Sequence, residues 1–139
     1  MAKGKVSPEL IEQFKQIVGE KYVYTDKDKL EPYSHDEVTD PHYMKEPQVI
    51  VLPATTEEVS KVVKLCYEND TVMVPRAAGT GLAAGAVATF GGVIISIERM
   101  NKILEIDKDN MVCVSEAGVT TSVLQDAVQK EGLFYGGDP

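Results

Sequence analysis

The sequence predicts an α+β fold with a small mixed parallel/antiparallel sheet and flanking helices. Short β-branched runs alternate with helical periodicity between residues 47 and 97. A hairpin pattern follows over residues 103–115. A run of Gly and Ala stands between the second and third apolar runs, where a doubly wound sheet would need a helix. We therefore expect a small parallel strand–helix–strand unit joined to antiparallel strands.

The first element is a helix opened by Ser7 as N-cap and Pro8 at the first helical position. Apolar residues then recur at helical spacing up to Gly19, which ends the helix. Residues 20–47 are polar and show no sustained periodicity, so we expect a long loop with about one helical turn. Residues 1–46 are accordingly predicted as an N-terminal helix and loop, and 47–139 as the main folded unit.

Strands are predicted at Gln48–Leu52, Val72–Val74 and Val93–Ile97. Between the first two, Thr55 or Thr56 caps a helix with Glu57 and Glu58 in its first turn. The apolar positions of that helix share one face; they are Val59, Val62, Val63 and Cys66.

The last part of the chain predicts a hairpin and a helix. Ile103–Ile106 and Met111–Ser115 flank a tetrad that favours a turn, Asp107-Lys108-Asp109-Asn110. Thr120 or Thr121 caps the final helix, which Gly132 ends. Its expected inward positions are Val123, Leu124, Ala127 and Val128.

Composition limits the classes of partner. The chain carries 22 acidic residues against 14 Lys and Arg, a net charge of −8, which argues against nucleic acid and anionic lipid as partners. No apolar stretch approaches the length of a membrane span, and the first ten residues lack a signal-peptide core, so we expect a cytoplasmic protein. Cys66 and Cys113 show no metal-ligand spacing and are expected to be buried, reduced side chains.

The segment from Val74 to Ala86 is the strongest functional signal. It reads VPRAAGTGLAAGA, and small side chains of this kind allow a ligand to touch the backbone. Successive amide N–H groups in such a loop can converge on one anion. The pattern indicates a site for a phosphate-bearing ligand; a loop that only turns a tight corner is the alternative without a ligand.

Three phosphate sites were compared with this pattern. A Walker loop ends in Gly-Lys-Ser/Thr, and no lysine lies between Lys64 and Lys102. A Rossmann fingerprint fits Gly79–Ala84 better, and Glu98 falls where its ribose-binding acid would stand. However, only residues 82–90 remain for the crossover helix, and a central glycine there disfavours it. The third possibility is a non-Rossmann loop that binds the diphosphate of a flavin; the spacing alone leaves the last two open.

Residues 47–139 resemble the FAD-binding portion of the FAD-linked oxidases with the vanillyl-alcohol-oxidase/p-cresol-methylhydroxylase fold. Among them they look most like the flavin subunit of glycolate oxidase and its D-lactate dehydrogenase relatives. The resemblance rests on EPQVIVLPATTEEVSKVVKLC, VPRAAGTGLAAGA, GGVIISIERMNKILEID, and the pair SEAGVT and GLFYGGDP. The first 46 residues fit more loosely, mainly through PYSHDEVTD. The resemblance implies the first FAD-binding subdomain of this family.

The resemblance assigns cofactor contacts to three segments. The diphosphate would lie against the main chain of the glycine loop, which is the Gly/Ala-rich segment Val74–Ala86. Gly118 would lie by the adenosine, and the end of the chain would follow the ribityl chain and the flavin edge. The residues so assigned are Pro75, Arg76, Ala77, Ala78, Gly79, Thr80, Gly81, Leu82, Gly118, Gly137, Asp138 and Pro139.

Some positions depart from the family pattern. A histidine stands at the position of Thr80 in relatives that attach the flavin covalently through this loop, so we expect non-covalent FAD. The family usually has Gly at the position of Ala77 and Pro at that of Ala117. Alanine at 77 requires a negative φ there.

The implied reaction is oxidation of a 2-hydroxy acid to a 2-oxo acid by hydride transfer to FAD. The chain is expected to be the N-terminal portion of such an enzyme, weak in FAD binding and inactive alone. The family's catalytic and metal-binding histidines would lie beyond residue 139, so we assign no catalytic or metal-binding residue. Partner subunits or self-association are expected, and no nucleic acid. Two alternatives stay open: a non-catalytic nucleotide- or partner-binding module, and the flavin-dependent reductase of cell-wall precursor synthesis, which shares the fold.

Two roles remain for Arg76, pairing with a phosphate or forming a salt bridge with one of the chain's carboxylates. Glu98, Arg99 and Glu116 are expected at exposed strand ends and not in the site.

Overall fold

In the computed structural model, which describes residues 5–137, ten helices and strands follow one another along the chain. The helices are α1 (Pro8–Val18), α2 (Lys27–Leu30), α3 (Thr56–Glu68) and α4 (Thr121–Lys130). The strands are β1 (Val23–Tyr24), β2 (Val49–Val51), β3 (Met73–Arg76), β4 (Val93–Ser96), β5 (Ile103–Asp107) and β6 (Val112–Ser115). Short 3₁₀ turns occur at Glu20–Tyr22, Glu31–Tyr33 and Pro41–Tyr43.

The main sheet has the strand order β1-β2-β4-β3. β4 lies between β2 and β3 and runs parallel to both, whereas β1 adds to β2 in the antiparallel direction. The predicted mixed sheet with flanking helices is therefore confirmed. Because the carboxyl ends of three parallel strands meet at one edge, the segments that follow them are brought together there.

The core lies on both faces of this sheet. Val49 and Val51 of β2 pack with Phe14 of α1 and Val62 of α3 on one face. Ile50 points to the other face, because successive side chains of a strand alternate. This second, smaller cluster also contains Leu30, Leu52, Ala88 and Ile94. The N-terminal helix and the main unit thus share one core.

The predicted helix caps agree with the structure. The Ser7 hydroxyl accepts a hydrogen bond from the N–H of Leu10, and Gly19 ends α1 with φ 92°. The Thr55 hydroxyl accepts from the N–H of Glu58 at the start of α3. Thr120 occupies the N-cap position of α4, but its side chain makes no capping hydrogen bond.

The long loop expected over residues 20–47 is wrong in part. It contains β1, whose pairing joins Val23 to Val51, as well as α2 and the three 3₁₀ turns. A two-residue strand has no periodicity of its own and exists only because the edge of β2 offers it a partner. β3 also runs further than Val74, through Arg76; Pro75 is compatible with it because β3 is an edge strand.

The predicted hairpin is present, but it forms a separate two-stranded sheet of β5 and β6 and does not join the main sheet.

Packing of α4 is looser than expected. Val128 is buried, whereas Val123 is 49% exposed. Cys66 is buried, and its surroundings raise the thiol pKa to about 11. Cys113 is only half-buried.

Candidate functional site

The glycine loop begins where β3 ends and occupies the carboxyl edge of the sheet. From residue 77 to residue 92 the chain forms bends and turns and no helix. Gly79 has φ 74° and Ala84 has φ 54°, values that interrupt helical backbone. Because the crossover helix of the dinucleotide fingerprint is absent, the Rossmann alternative is wrong.

The backbone of the loop presents unused donors. Within the described residues, none of the N–H groups of residues 77–82 donates to a protein acceptor. The loop is nonetheless attached to the rest of the molecule, since the carbonyl of Gly81 accepts from the N–H of Glu37 at 3.2 Å. Six consecutive free donors in an exposed, irregular segment are suited to binding an anion.

Gly79 is required by both its conformation and its surroundings. Its φ of 74° lies in the region that disfavours side chains, and a β-carbon there would stand 2.3 Å from Nη2 of Arg76. Gly81 differs, because apart from its two chain neighbours no atom of residues 5–137 lies within 4 Å of the position of its β-carbon. Ala77 does not have a positive φ, so the backbone at this position is compatible with alanine.

Arg76 is buried, with 8% of its surface exposed, and its guanidinium donates to backbone carbonyls. Nη1 donates to the carbonyl of His35 at 2.8 Å and to that of Ala86 at 3.2 Å. Nη2 is 3.5 Å from the carbonyl of Pro32, and the guanidinium lies over the Tyr33 ring at 5.4 Å. The guanidinium therefore joins the segment before β2 to the glycine loop.

The salt-bridge role considered for Arg76 is wrong, whereas its pairing with a phosphate stays a prediction. The guanidinium forms no ion pair within 4 Å in the part of the chain that the structure describes. Burial lowers the pKa of Arg76, while the nearby charge of Asp36 acts in the opposite direction. Oδ2 of Asp36 is buried without a hydrogen-bond partner. Asp36 is thus a long-range electrostatic neighbour of Arg76.

A cavity of about 640 Å³ opens beside the loop. Its wall combines residues from the loop, the turn after β4, the start of α4 and the segment after α2. They are Pro32, Tyr33, Arg76, Ala77, Ala78, Glu98, Asn101, Gly118, Val119, Thr120 and Val123. Of the sequence-assigned residues, Arg76, Ala77, Ala78 and Gly118 meet here.

The remaining assigned residues lie elsewhere. Pro75 is an exposed residue of β3, and residues 79–82 continue the loop outside the cavity wall. Gly137 is also outside it, and its carbonyl lies 3.5 Å from Nε2 of Gln125. Asp138 and Pro139 lie outside the described residues.

Gly118 allows two segments to approach closely. Its N–H donates to the carbonyl of Met100 at 2.8 Å. A β-carbon at this position would stand 2.2 Å from the carbonyl oxygen of Ile97. Glycine here therefore lets the segment before α4 form one wall of the cavity.

Sequence reasoning missed Tyr33 and Glu98. The Tyr33 hydroxyl donates to Oε1 of Glu98 at 2.8 Å, across 65 residues of sequence. Burial, reinforced by the Glu98 carboxylate, raises the pKa of Tyr33 well above its ordinary value, so the phenol keeps its proton. Glu98 is exposed just after β4, as expected, and it also lines the cavity, which the sequence did not indicate. The spacing of Glu98 along the sequence from the glycines was the signal that could have identified it. No feature of the sequence around Tyr33 indicated that it lines a cavity.

Two other kinds of site were sought among residues 5–137. No group of three or more His, Cys, Asp or Glu side chains there could hold a metal ion. No helix in this range is long and apolar enough to cross a membrane.

Comparison with known proteins agrees with this geometry. Residues 47–139 match a protein family described as the FAD binding domain. The chain is 44% identical over 137 residues to a D-lactate dehydrogenase of Anaerostipes hadrus, covering 98% of this chain and 28% of that protein. It is 38% identical over 107 residues to the glycolate oxidase subunit GlcD of Bacillus subtilis, covering 77% and 22%. The chain thus spans about a quarter of the length of these relatives.

The fold agrees as well. A structure of p-cresol methylhydroxylase with substrate bound superposes with a TM-score of 0.79 and 28% identity, covering 90% of this chain and 25% of that one. The resemblance recognised in the sequence is therefore confirmed at the level of fold.

Proposed function

Because the chain belongs to the FAD-binding-domain family, we propose that the main-chain amides of residues 77–82 bind the diphosphate of FAD. The observation that carries the proposal is the set of six consecutive N–H groups that have no acceptor among residues 5–137. A diphosphate offers oxygen acceptors and negative charge, which match such donors. The net charge of −8 gives no general attraction, so these local dipoles would supply the affinity.

Other residues support the site indirectly. Arg76 fixes the start of the loop through its carbonyl contacts, and Gly79 lets the backbone turn against the guanidinium. Thr80, exposed on the loop, adds a hydroxyl near the proposed diphosphate. Gly118 places the segment before α4 at the cavity, where the adenosine half would lie. Gly137, Asp138 and Pro139 are proposed to begin the stretch along the ribityl chain.

In the complete protein, this portion would serve oxidation of a 2-hydroxy acid to a 2-oxo acid. Support comes from two relatives whose names are a D-lactate dehydrogenase and a glycolate oxidase subunit. FAD, when bound, accepts the hydride. The residues of this chain would hold and orient the cofactor, and none of them is proposed to act on the substrate. The expected partner subunits and cytoplasmic location stay predictions.

We also propose that FAD is held without a covalent bond. Support comes from Thr80, whose hydroxyl stands at the loop position that carries a histidine in relatives with covalently attached flavin.

Ligand competition tests the diphosphate site. FAD binding to the chain is followed by flavin fluorescence, and ADP, AMP and riboflavin are added as competitors. ADP should displace FAD more effectively than AMP, because it retains the diphosphate, and riboflavin should compete least. Equal competition by riboflavin and ADP would mean that the flavin ring, and not the diphosphate, is what the chain recognises. We expect FAD binding to be weak, since the chain corresponds to about a quarter of its relatives.

A further inference from the structure

The cavity contains one acidic group whose position the proposed diphosphate site does not explain. Glu98 follows β4 at the carboxyl edge of the sheet and lines the same cavity as Ala77 and Ala78. The Tyr33 hydroxyl donates to its Oε1 at 2.8 Å. Its Oε2 accepts from no group among residues 5–137. One carboxylate oxygen of Glu98 is thus held by a hydrogen bond, and the other is available to accept a hydrogen bond from a ligand.

The charge of Glu98 determines which part of a ligand it can meet. A diphosphate beside this carboxylate would be repelled, and the nearby positive group, Arg76, is buried and donates through Nη1 to the carbonyls of His35 and Ala86. The diphosphate therefore belongs on the amide side of the cavity. The Glu98 side must receive a neutral portion of the ligand that carries hydrogen-bond donors.

The donors of an adenosine ribose fit this requirement. Its two adjacent hydroxyls are neutral, each can donate to a carboxylate oxygen, and they lie a short distance from the diphosphate in the same molecule. Carboxylates bind ribose hydroxyls in this way in other dinucleotide sites. Val119 and Val123 add apolar surface to the same wall, which suits an adjoining base.

We propose that Glu98, oriented by Tyr33, binds the ribose hydroxyls of the adenosine half of FAD. This role rests on the proposed function, because it requires the diphosphate to lie on residues 77–82. Glu98 would thereby fix the direction of the cofactor, with the adenosine at the cavity and the flavin beyond it.

A cycle that changes both the protein and the ligand tests the role of Glu98. The unsubstituted chain and Glu98→Ala are compared by displacement of FAD with ADP and with 2′-deoxy-ADP and 3′-deoxy-ADP. In the unsubstituted chain, at least one deoxy form should bind about 10-fold more weakly than ADP, as expected for a lost hydrogen bond to a charged group. In Glu98→Ala, ADP should weaken by a similar factor and the difference between ADP and that deoxy form should disappear.

Three controls make the cycle specific. Glu57→Ala removes an exposed carboxylate from the first turn of α3, outside the cavity, and should leave every ratio unchanged. Tyr33→Phe keeps the ring but releases Glu98, so it should reduce the discrimination in part. Thermal unfolding of Glu98→Ala should change no more than that of Tyr33→Phe, because both variants lose the same hydrogen bond.

The outcomes separate this role from the proposed function. If FAD binds and ADP competes, but discrimination against both deoxy forms persists in Glu98→Ala, the ribose role is overturned and the diphosphate site stands. If Glu98→Ala weakens ADP and both deoxy forms equally, the carboxylate meets another part of the ligand and the ribose role is again overturned. If the unsubstituted chain binds neither FAD nor ADP, both proposals fail together.

Discussion

The guanidinium of Arg76 occupies the space next to Gly79 in which any other residue would place its β-carbon. That β-carbon would stand 2.3 Å from Nη2 and 2.5 Å from Cζ of Arg76. The same guanidinium donates to the carbonyls of His35 and Ala86. Glycine at 79 and arginine at 76 are therefore interdependent, and together they determine where the free amides of the loop begin.

This relationship predicts a strong effect of Gly79→Ala. The substitution forces alanine into φ 74° and against the guanidinium, so the free energy of unfolding should fall by about 1–3 kcal/mol. FAD affinity should fall with it, because the amides lose their arrangement. Urea denaturation and flavin fluorescence measure the two effects.

Gly81→Ala is the matched control for that experiment. It also removes a loop glycine, but within the described part of the chain only its two chain neighbours come within 4 Å of the new β-carbon, and φ is not in the left-handed region. Its stability should change by less than about 0.5 kcal/mol. If both variants behave alike, the contact with Arg76 is not what makes Gly79 necessary.

Arg76→Met separates a positioning role from a phosphate contact. Methionine fills part of the buried space but leaves the carbonyls of His35 and Ala86 without their donor. We expect a loss of about 2–4 kcal/mol in the free energy of unfolding and faster amide exchange at Glu37, whose N–H bonds to Gly81. Lys102→Met, which removes an exposed cation, should change neither. A variant of Arg76 that keeps full stability and native exchange while losing FAD affinity would instead indicate direct phosphate binding.

Tyr33 predicts a pH dependence of stability. Burial and the Glu98 carboxylate raise the Tyr33 pKa in the folded state, whereas an unfolded tyrosine ionises near pH 10. The folded state therefore holds the phenolic proton more tightly, and this stabilisation, complete below about pH 10, is lost as the pH rises above that value. Tyr33→Phe should show a shallower loss of unfolding free energy as the pH rises above about 10.

Urea denaturation at a series of alkaline pH values measures this slope. Tyr67→Phe, which alters a tyrosine that is 80% exposed on α3, is the matched control and should retain the slope of the unsubstituted chain. Identical slopes for Tyr33→Phe and the unsubstituted chain would contradict the effect of the Tyr33–Glu98 pair.

The mode of flavin attachment is tested by acid precipitation of the FAD-loaded chain. Because non-covalent attachment is proposed from the threonine at position 80, we expect the flavin to remain in the supernatant. The readout is the absorbance of the supernatant and the fluorescence of the pellet. Flavin that stays with the washed pellet would show a covalent bond through another residue.

Local signals predicted most of the elements of the fold. The caps at Ser7 and Thr55 act through hydrogen bonds to backbone three residues away, so they could be identified from sequence. The strand β1 could not, because its two residues are ordered by pairing with β2 and have no pattern of their own. The same limit applies to the hairpin, whose two strands were identified but whose separation from the main sheet was not.

The candidate site divides in the same way. The loop could be predicted from the frequent glycines between β3 and β4, because the conformational freedom of glycine depends on the residue itself. The hydrogen-bond partners of Arg76 could not be predicted from the sequence, since its hydrogen bond to His35 spans 41 residues. The salt bridge considered for its charge is absent from the described residues, and carbonyl oxygens accept from the guanidinium instead.

The sequence by itself determined that an irregular, side-chain-poor loop follows a strand and that this loop is suited to bind a phosphate-bearing ligand. Only the tertiary structure decided that Tyr33 meets Glu98 and that a cavity forms between them and the loop. The physical reason is one of range: conformational preference acts over a few residues, whereas a cavity wall is assembled by strand pairing that joins distant parts of the chain.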